Sequence, residues 1–150
     1  MPNEFVMRGK TPSGETEVLN FSGYKPGYAY RLVDFEIFFS SGIGTTNQEL
    51  CATLTAAKTY EDPANPNFLN EGLIATATLS TYPPSNLGST ASTVVNHTFL
   101  ITQDLILAVV DTVTGSPADV NWQCTFVKEK MSGPEEAATN YKQYLISDGS

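Results

Sequence analysis

Residues 28–40 read Tyr-Ala-Tyr-Arg-Leu-Val-Asp-Phe-Glu-Ile-Phe-Phe-Ser, the longest strand-like segment of the chain. On a two-residue period Ala29, Val33, Phe35, Ile37 and Phe39 share one face, interrupted only by Arg31. Tyr28, Tyr30, Leu32, Asp34, Glu36 and Phe38 share the other. Thirteen extended residues span about 40 Å, long enough to bend or to serve two sheets. The pattern predicts a central strand of an all-β domain, with one face in the core and the other half-exposed.

Outward from this stretch the same period recurs. Toward the N-terminus, Glu4 to Lys10 carries Phe5, Val6 and Met7 and reads as an N-terminal arm (residues 1–10) or a first strand. Thr11-Pro12-Ser13-Gly14 follows as a turn, in which proline presets φ and glycine permits a positive one. Glu15 to Ser22 alternates, so that the first three strands suit a meander. Toward the C-terminus, Ser41–Asn47 is a loop by composition. Glu49 to Lys58 then sets Leu50, Ala52, Leu54 and Ala56 on one face. Tyr60 to Gly72, with its Asp-Pro and Asn-Pro pairs, reads as an exposed loop. Strands are predicted over 73–81, 93–102, 105–113 and 120–130, the last with Val120, Trp122, Cys124 and Phe126 on its core face. The nearly continuous apolar run Leu105 to Val110 implies contact on both faces.

Ser132-Gly133-Pro134-Glu135 places a capping hydroxyl three residues before a glutamate and predicts a short helix near 133–140. A last short strand is expected over Lys142–Ser147. Eight or nine strands with long loops predict a single two-layer β-sandwich over 1–150, of jelly-roll or other Greek-key type.

The totals narrow the function. One domain of 150 residues buries enough surface to fold without staples. Sixteen acidic residues against eight basic ones give a net charge of −8, which disfavours nucleic acid and anionic lipid as partners. With no apolar run long enough for a membrane span and no signal-peptide pattern, the chain reads as soluble and made in the cytoplasm. In that compartment Cys51 and Cys124 are expected as reduced, buried thiols.

No sharp catalytic motif emerges, and no cofactor is expected. His97, the sole histidine, lacks an orienting partner and reads as a structural or surface residue. Asp34 and Glu36 lie two apart on one strand face, yet acid–base chemistry also needs a cleft. The best candidate for a bound ion is the oxygen-rich loop Glu61–Glu71, which could offer calcium some of its ligands; a plain turn-rich loop is the preferred reading. Tyr24, Tyr28, Tyr30, Tyr60, Phe68, Tyr82 and Trp122 include possible sugar-stacking rings, though core or interface roles suit most of them better. Asn20-Phe21-Ser22 and Asn96-His97-Thr98 match glycosylation acceptors and read as coincidences.

Arg8–Phe21, Gly27–Phe35 and Lys130–Ala137 together resemble small virion proteins of marine tailed bacteriophages, in particular the capsid decoration, or knob, proteins of cyanophages and their relatives. The resemblance implies a β-sandwich seated on an assembled head, as a trimer or at capsomer centres, with no catalytic activity. It makes the major capsid protein the expected partner and the virion the expected location. The expected contact residues are the arm Asn3, Glu4, Phe5, Val6 and Met7 and the loops around Tyr24 and Phe68. The competing reading is a carbohydrate- or host-receptor-binding sandwich of a phage tail or surface, with Tyr82 or Phe68 stacking on sugar.

Overall fold

A computed structural model describes residues 4–21, 27–41, 46–56, 59–82, 89–113, 117–135, 137–139 and 142. Among the described residues eight strands run in order: β1 (Glu4–Thr11), β2 (Thr16–Leu19), β3 (Tyr28–Phe39), β4 (Gln48–Thr55), β5 (Leu73–Thr81), β6 (Ser89–Val95), β7 (Leu105–Asp111) and β8 (Val120–Lys130). They form two antiparallel sheets, β1-β8-β3 and β2-β7-β4-β5-β6, packed as a sandwich. The nested pairings β1–β8, β2–β7 and β4–β5 are the wound order of a jelly roll. β6 departs from it. It packs beside β3 but takes its hydrogen bonds from β5.

β8 is the centre of the smaller sheet, paired with β1 on one edge and β3 on the other, and its alternation is strict. Val120, Trp122, Cys124 and Phe126 all turn inward and are buried. Their partners on β3 are Phe39, Ile37, Phe35 and Leu32, so each inward row is filled from both strands. Full burial of such side chains stabilises by roughly 1.5–3 kcal/mol apiece.

β3 corrects the sequence reading in two ways. It ends a sheet rather than lying at its centre, and its register slips by one residue between Leu32 and Asp34. The extra residue, Val33, turns outward, and the phase of the strand flips across it. Tyr30 and Leu32 therefore point into the core before the slip, and Phe35, Ile37 and Phe39 after it. Arg31 no longer interrupts an apolar face: it lies half-exposed and pairs with Glu129 of β8.

The expected meander also gives way. β1 pairs with β8 and β2 with β7, so the first three strands share no hydrogen-bonded edge. Residues 4–11 are the first strand, and not a free arm. The turn between β1 and β2 has Gly14 at φ 84°, and the Gly14 amide donates to the Val109 carbonyl at 2.8 Å, which ties the turn to β7.

β4, at the middle of the larger sheet, buries Leu50, Ala52, Leu54 and Ala56 on the expected face. β7 is covered on both sides, with Ala108 as well as Leu107 and Val109 out of water. The strand expected at 93–102 instead occupies Ser89–Val95. Past it the Asn96 carboxamide oxygen accepts from the Thr98 amide at 3.1 Å and hydroxyl at 2.7 Å, a side-chain turn that ends the strand. Phe99 and Ile101 return to the core from this loop, Ile101 exchanging two backbone bonds with Tyr30.

The predicted capping box is present. The Ser132 hydroxyl accepts from the Glu135 amide and the Glu135 carboxylate from the Ser132 amide, both at 3.3 Å. The residues described between 133 and 142 are helical, Lys142 included. The rest of the strand expected over 142–147 lies outside the described residues.

Candidate functional site

Two features face outward: a stiff loop with an apolar tip and an open groove. Residues 59–72 join β4 to β5, and the Glu61 and Asp62 side chains serve the loop itself. The Glu61 carboxylate accepts from the Asn67 amide at 2.9 Å and the Asn70 side chain at 2.7 Å. Asp62 accepts from the Ala64 amide at 2.9 Å and the Asn65 side chain at 3.2 Å, and these bonds hold its carboxyl below the usual aspartate range. Asn67 and Asn70 in turn accept from the Leu69 and Gly72 amides. The base of the loop is pinned to β4, where the Thr53 hydroxyl donates to the Glu61 carbonyl at 2.7 Å.

In this network the Glu61 and Asp62 carboxylates accept from the loop's own donors. Among the described residues no three His, Cys, Asp or Glu side chains cluster closely enough to hold a metal ion. Beside exposed polar residues such as Asp62, Asn65, Asn67 and Glu71, the loop holds large apolar side chains out to solvent. Phe68 is 62% exposed, Leu69 89% and Tyr60 53%.

The groove, of about 940 Å³, brings the two sheets together. Arg8 and Gly9 of β1, Glu36, Ile37 and Phe38 of β3, and Asn121, Trp122 and Gln123 of β8 meet Thr78 and Leu79 of β5 and Ala91 and Thr93 of β6. Phe38 is largely exposed, whereas Trp122 shows only its edge. The indole lies over Gly9, where a Cβ would come within 2.8 Å of the ring, and its N–H donates to the Thr11 hydroxyl at 2.9 Å. Arg8 is held by hydrogen bonds from its guanidinium to Gln123.

The residues expected at a contact surface divide sharply. Glu4 and Val6 point outward from β1. Phe5 and Met7 do not: both turn toward the core, with Phe5 stacked 5.5 Å from Phe126. Phe68 is exposed as expected, while Asn3 and Tyr24 lie outside the described residues. Tyr82 is half-buried and donates its hydroxyl to Glu49. His97 is exposed, its carbonyl accepting from Arg31 at 3.1 Å. Asp34 and Glu36 are both exposed, and only Glu36 reaches the groove. Leu69 and the groove itself escaped the sequence reading. A Phe-Leu pair bracketed by turn-forming asparagines was the available signal for the first.

Both cysteines are free thiols, set in opposite sheets. Burial first, then the charge of Asp34, pushes the Cys124 thiol up to about 12. Cys51, half-buried, is also raised, by burial and then by Glu49, Asp111 and Asp62. Both shifts run against the thiolate form.

No protein-family model and no curated protein matches the chain. Among the described residues no helix is long and apolar enough to cross a membrane.

Proposed function

We propose that the chain is a non-enzymatic structural protein of a tailed-bacteriophage virion that decorates and stabilises the capsid, with the major capsid protein as its partner. The observation that carries this reading is the loop 59–72. Its hydrogen-bonded frame offers Phe68 and Leu69 to a partner in one fixed arrangement, which lowers the ordering cost of docking. Apolar side chains held out on a pre-organised support suit a protein that grips a larger surface. The sequence resemblance supports the same reading. Purified protein is expected to bind emptied, expanded heads of the phage that encodes it, and not the compact precursor shell. Binding to neither form contradicts the proposal.

The groove favours a second reading, a carbohydrate- or receptor-binding module. Phe38 offers a ring face, and Arg8, Glu36, Asn121 and Gln123 supply donors and acceptors around it. Trp122, the sole tryptophan, lines this groove and reports on it. Oligosaccharides that shift its emission and light up a glycan array support the second reading; a blank array and unchanged emission support the first.

A further inference from the structure

Four strands end the two sheets, and three of them are guarded against pairing with another chain. β1 carries Glu4, Arg8 and Lys10. β2 is only four residues long and includes Glu17. β3 has its bulge at Val33, the charges of Arg31, Asp34 and Glu36, and an end occupied by Ile101. Charge, brevity, bulges and cover are the usual means by which an open edge is kept from adding a strand.

Among the described residues β6 shows none of them. Ser-Thr-Ala-Ser-Thr-Val-Val contains no charge and no proline, and it pairs with β5 through seven successive residues without a slip. From Thr90 to Val94 it is exposed on both faces, including Ala91 and Thr93 on the side that looks toward the smaller sheet. Among the described residues nothing hydrogen-bonds to its outward backbone edge.

We infer that β6 pairs antiparallel with β6 of a second copy of this chain, about a twofold axis at Ser92, to make one ten-stranded sheet. The occupant follows from charge. Two copies each of net charge −8 repel, and antiparallel self-pairing sets a strand's central side chains against their own kind, where like charges are destabilising. An uncharged edge is the one along which this molecule can meet itself at no such cost. In the register centred on Ser92, Thr90 faces the partner's Val94, Ala91 the partner's Thr93, and Ser92 its own copy. Directly opposed residues in an antiparallel pair point to the same side. Both smaller sheets then lie on one face of the joined sheet, with the two grooves on that same face.

The symmetry is twofold, where the resemblance implies a threefold, and the pairing is independent of what the protein docks to. A pair of seven-residue strands is smaller than a standard protein interface, so association is concentration-dependent. Sedimentation equilibrium is expected to show a mass rising to twice the 16.2 kDa of one chain. Ser92→Lys, an exposed position, is expected to keep the circular dichroism spectrum and melting temperature of the monomer while abolishing the dimer. Ser92→Glu does the same, and an equimolar mixture of the two restores it. Val18→Lys, on the edge strand β2, leaves the dimer intact. A monomer at every concentration, a threefold mass, a dimer indifferent to Ser92→Lys, or a mixture that fails to recover overturns the inference.

Discussion

The two ends of this sandwich are filled differently. At one, Phe5, Phe21, Tyr30 and Phe126 form a cluster of rings with centroids 5.0–6.5 Å apart, and the sheets are sealed over it. At the other, the larger sheet offers Thr78, Leu79, Ala91 and Thr93 opposite Ile37 and Trp122, and the space between stays open as the groove. Side-chain volume decides the matter. Where strands present rings, edge-to-face contacts close the layers, and where they present alanine and threonine the interior meets water. The sealed end supplies stability, and the proposed means of contact lie at the open end, the bare edge and the loop tip.

Substitutions test this division, beginning with the largest effect. Phe126→Ala removes the ring that contacts both Phe5 and Phe21, and is expected to cost about 3–5 kcal/mol in urea denaturation. A loss as small as that of a surface change would mean that the ring cluster is not the anchor. At the groove end, Gly9→Ala forces the Trp122 ring aside and is expected to cost about 1–3 kcal/mol, with a shift in tryptophan emission. Unchanged emission would show that the ring is not seated on Gly9.

Much of the fold was legible before any coordinates. β8 follows directly from Val120, Trp122, Cys124 and Phe126, because a two-residue period has one solution when every inward position is apolar. β3 misled because its bulge falls at Val33, an ordinary strand residue with no glycine to mark it, so an uninterrupted phase carried Arg31 onto the core face. β6 misled for a different reason. Phe99 and Ile101 are buried from a loop, and their hydrophobicity resembles strand alternation unless the Asn96–Thr98 turn is recognised. Which strands pair is settled by contacts distant in sequence, and local pattern is silent there. Of the candidate surfaces, the exposure of Phe68 was legible from its turn-rich loop, while the groove depends on how two sheets meet and has no local signature.

Smaller effects sharpen the same contrast. A thiol-directed reagent is expected to modify Cys51 before Cys124 in the folded protein, since Cys124 is fully enclosed and its thiol is raised to about 12. Equal rates would place Cys124 nearer the surface than its burial allows. The loop responds to acid. The Asp62 carboxyl is lowered, so its bonds to Ala64 and Asn65 hold at neutral pH and are lost as pH falls through that lowered value. The Ala64 amide resonance is the readout, and it should stay constant from neutrality down into the ordinary aspartate range.

Least of all should the loop tip matter to folding, because Phe68 and Leu69 are exposed in the free protein. The double substitution Phe68→Ser, Leu69→Ser is expected to change stability by no more than about 0.5 kcal/mol. Co-sedimentation of this variant with expanded heads, beside the wild-type chain, is the most direct test of a protein that works by gripping from its rim. The account predicts saturable binding by the wild type and none by the variant at equal melting temperature; equal binding by both would contradict it.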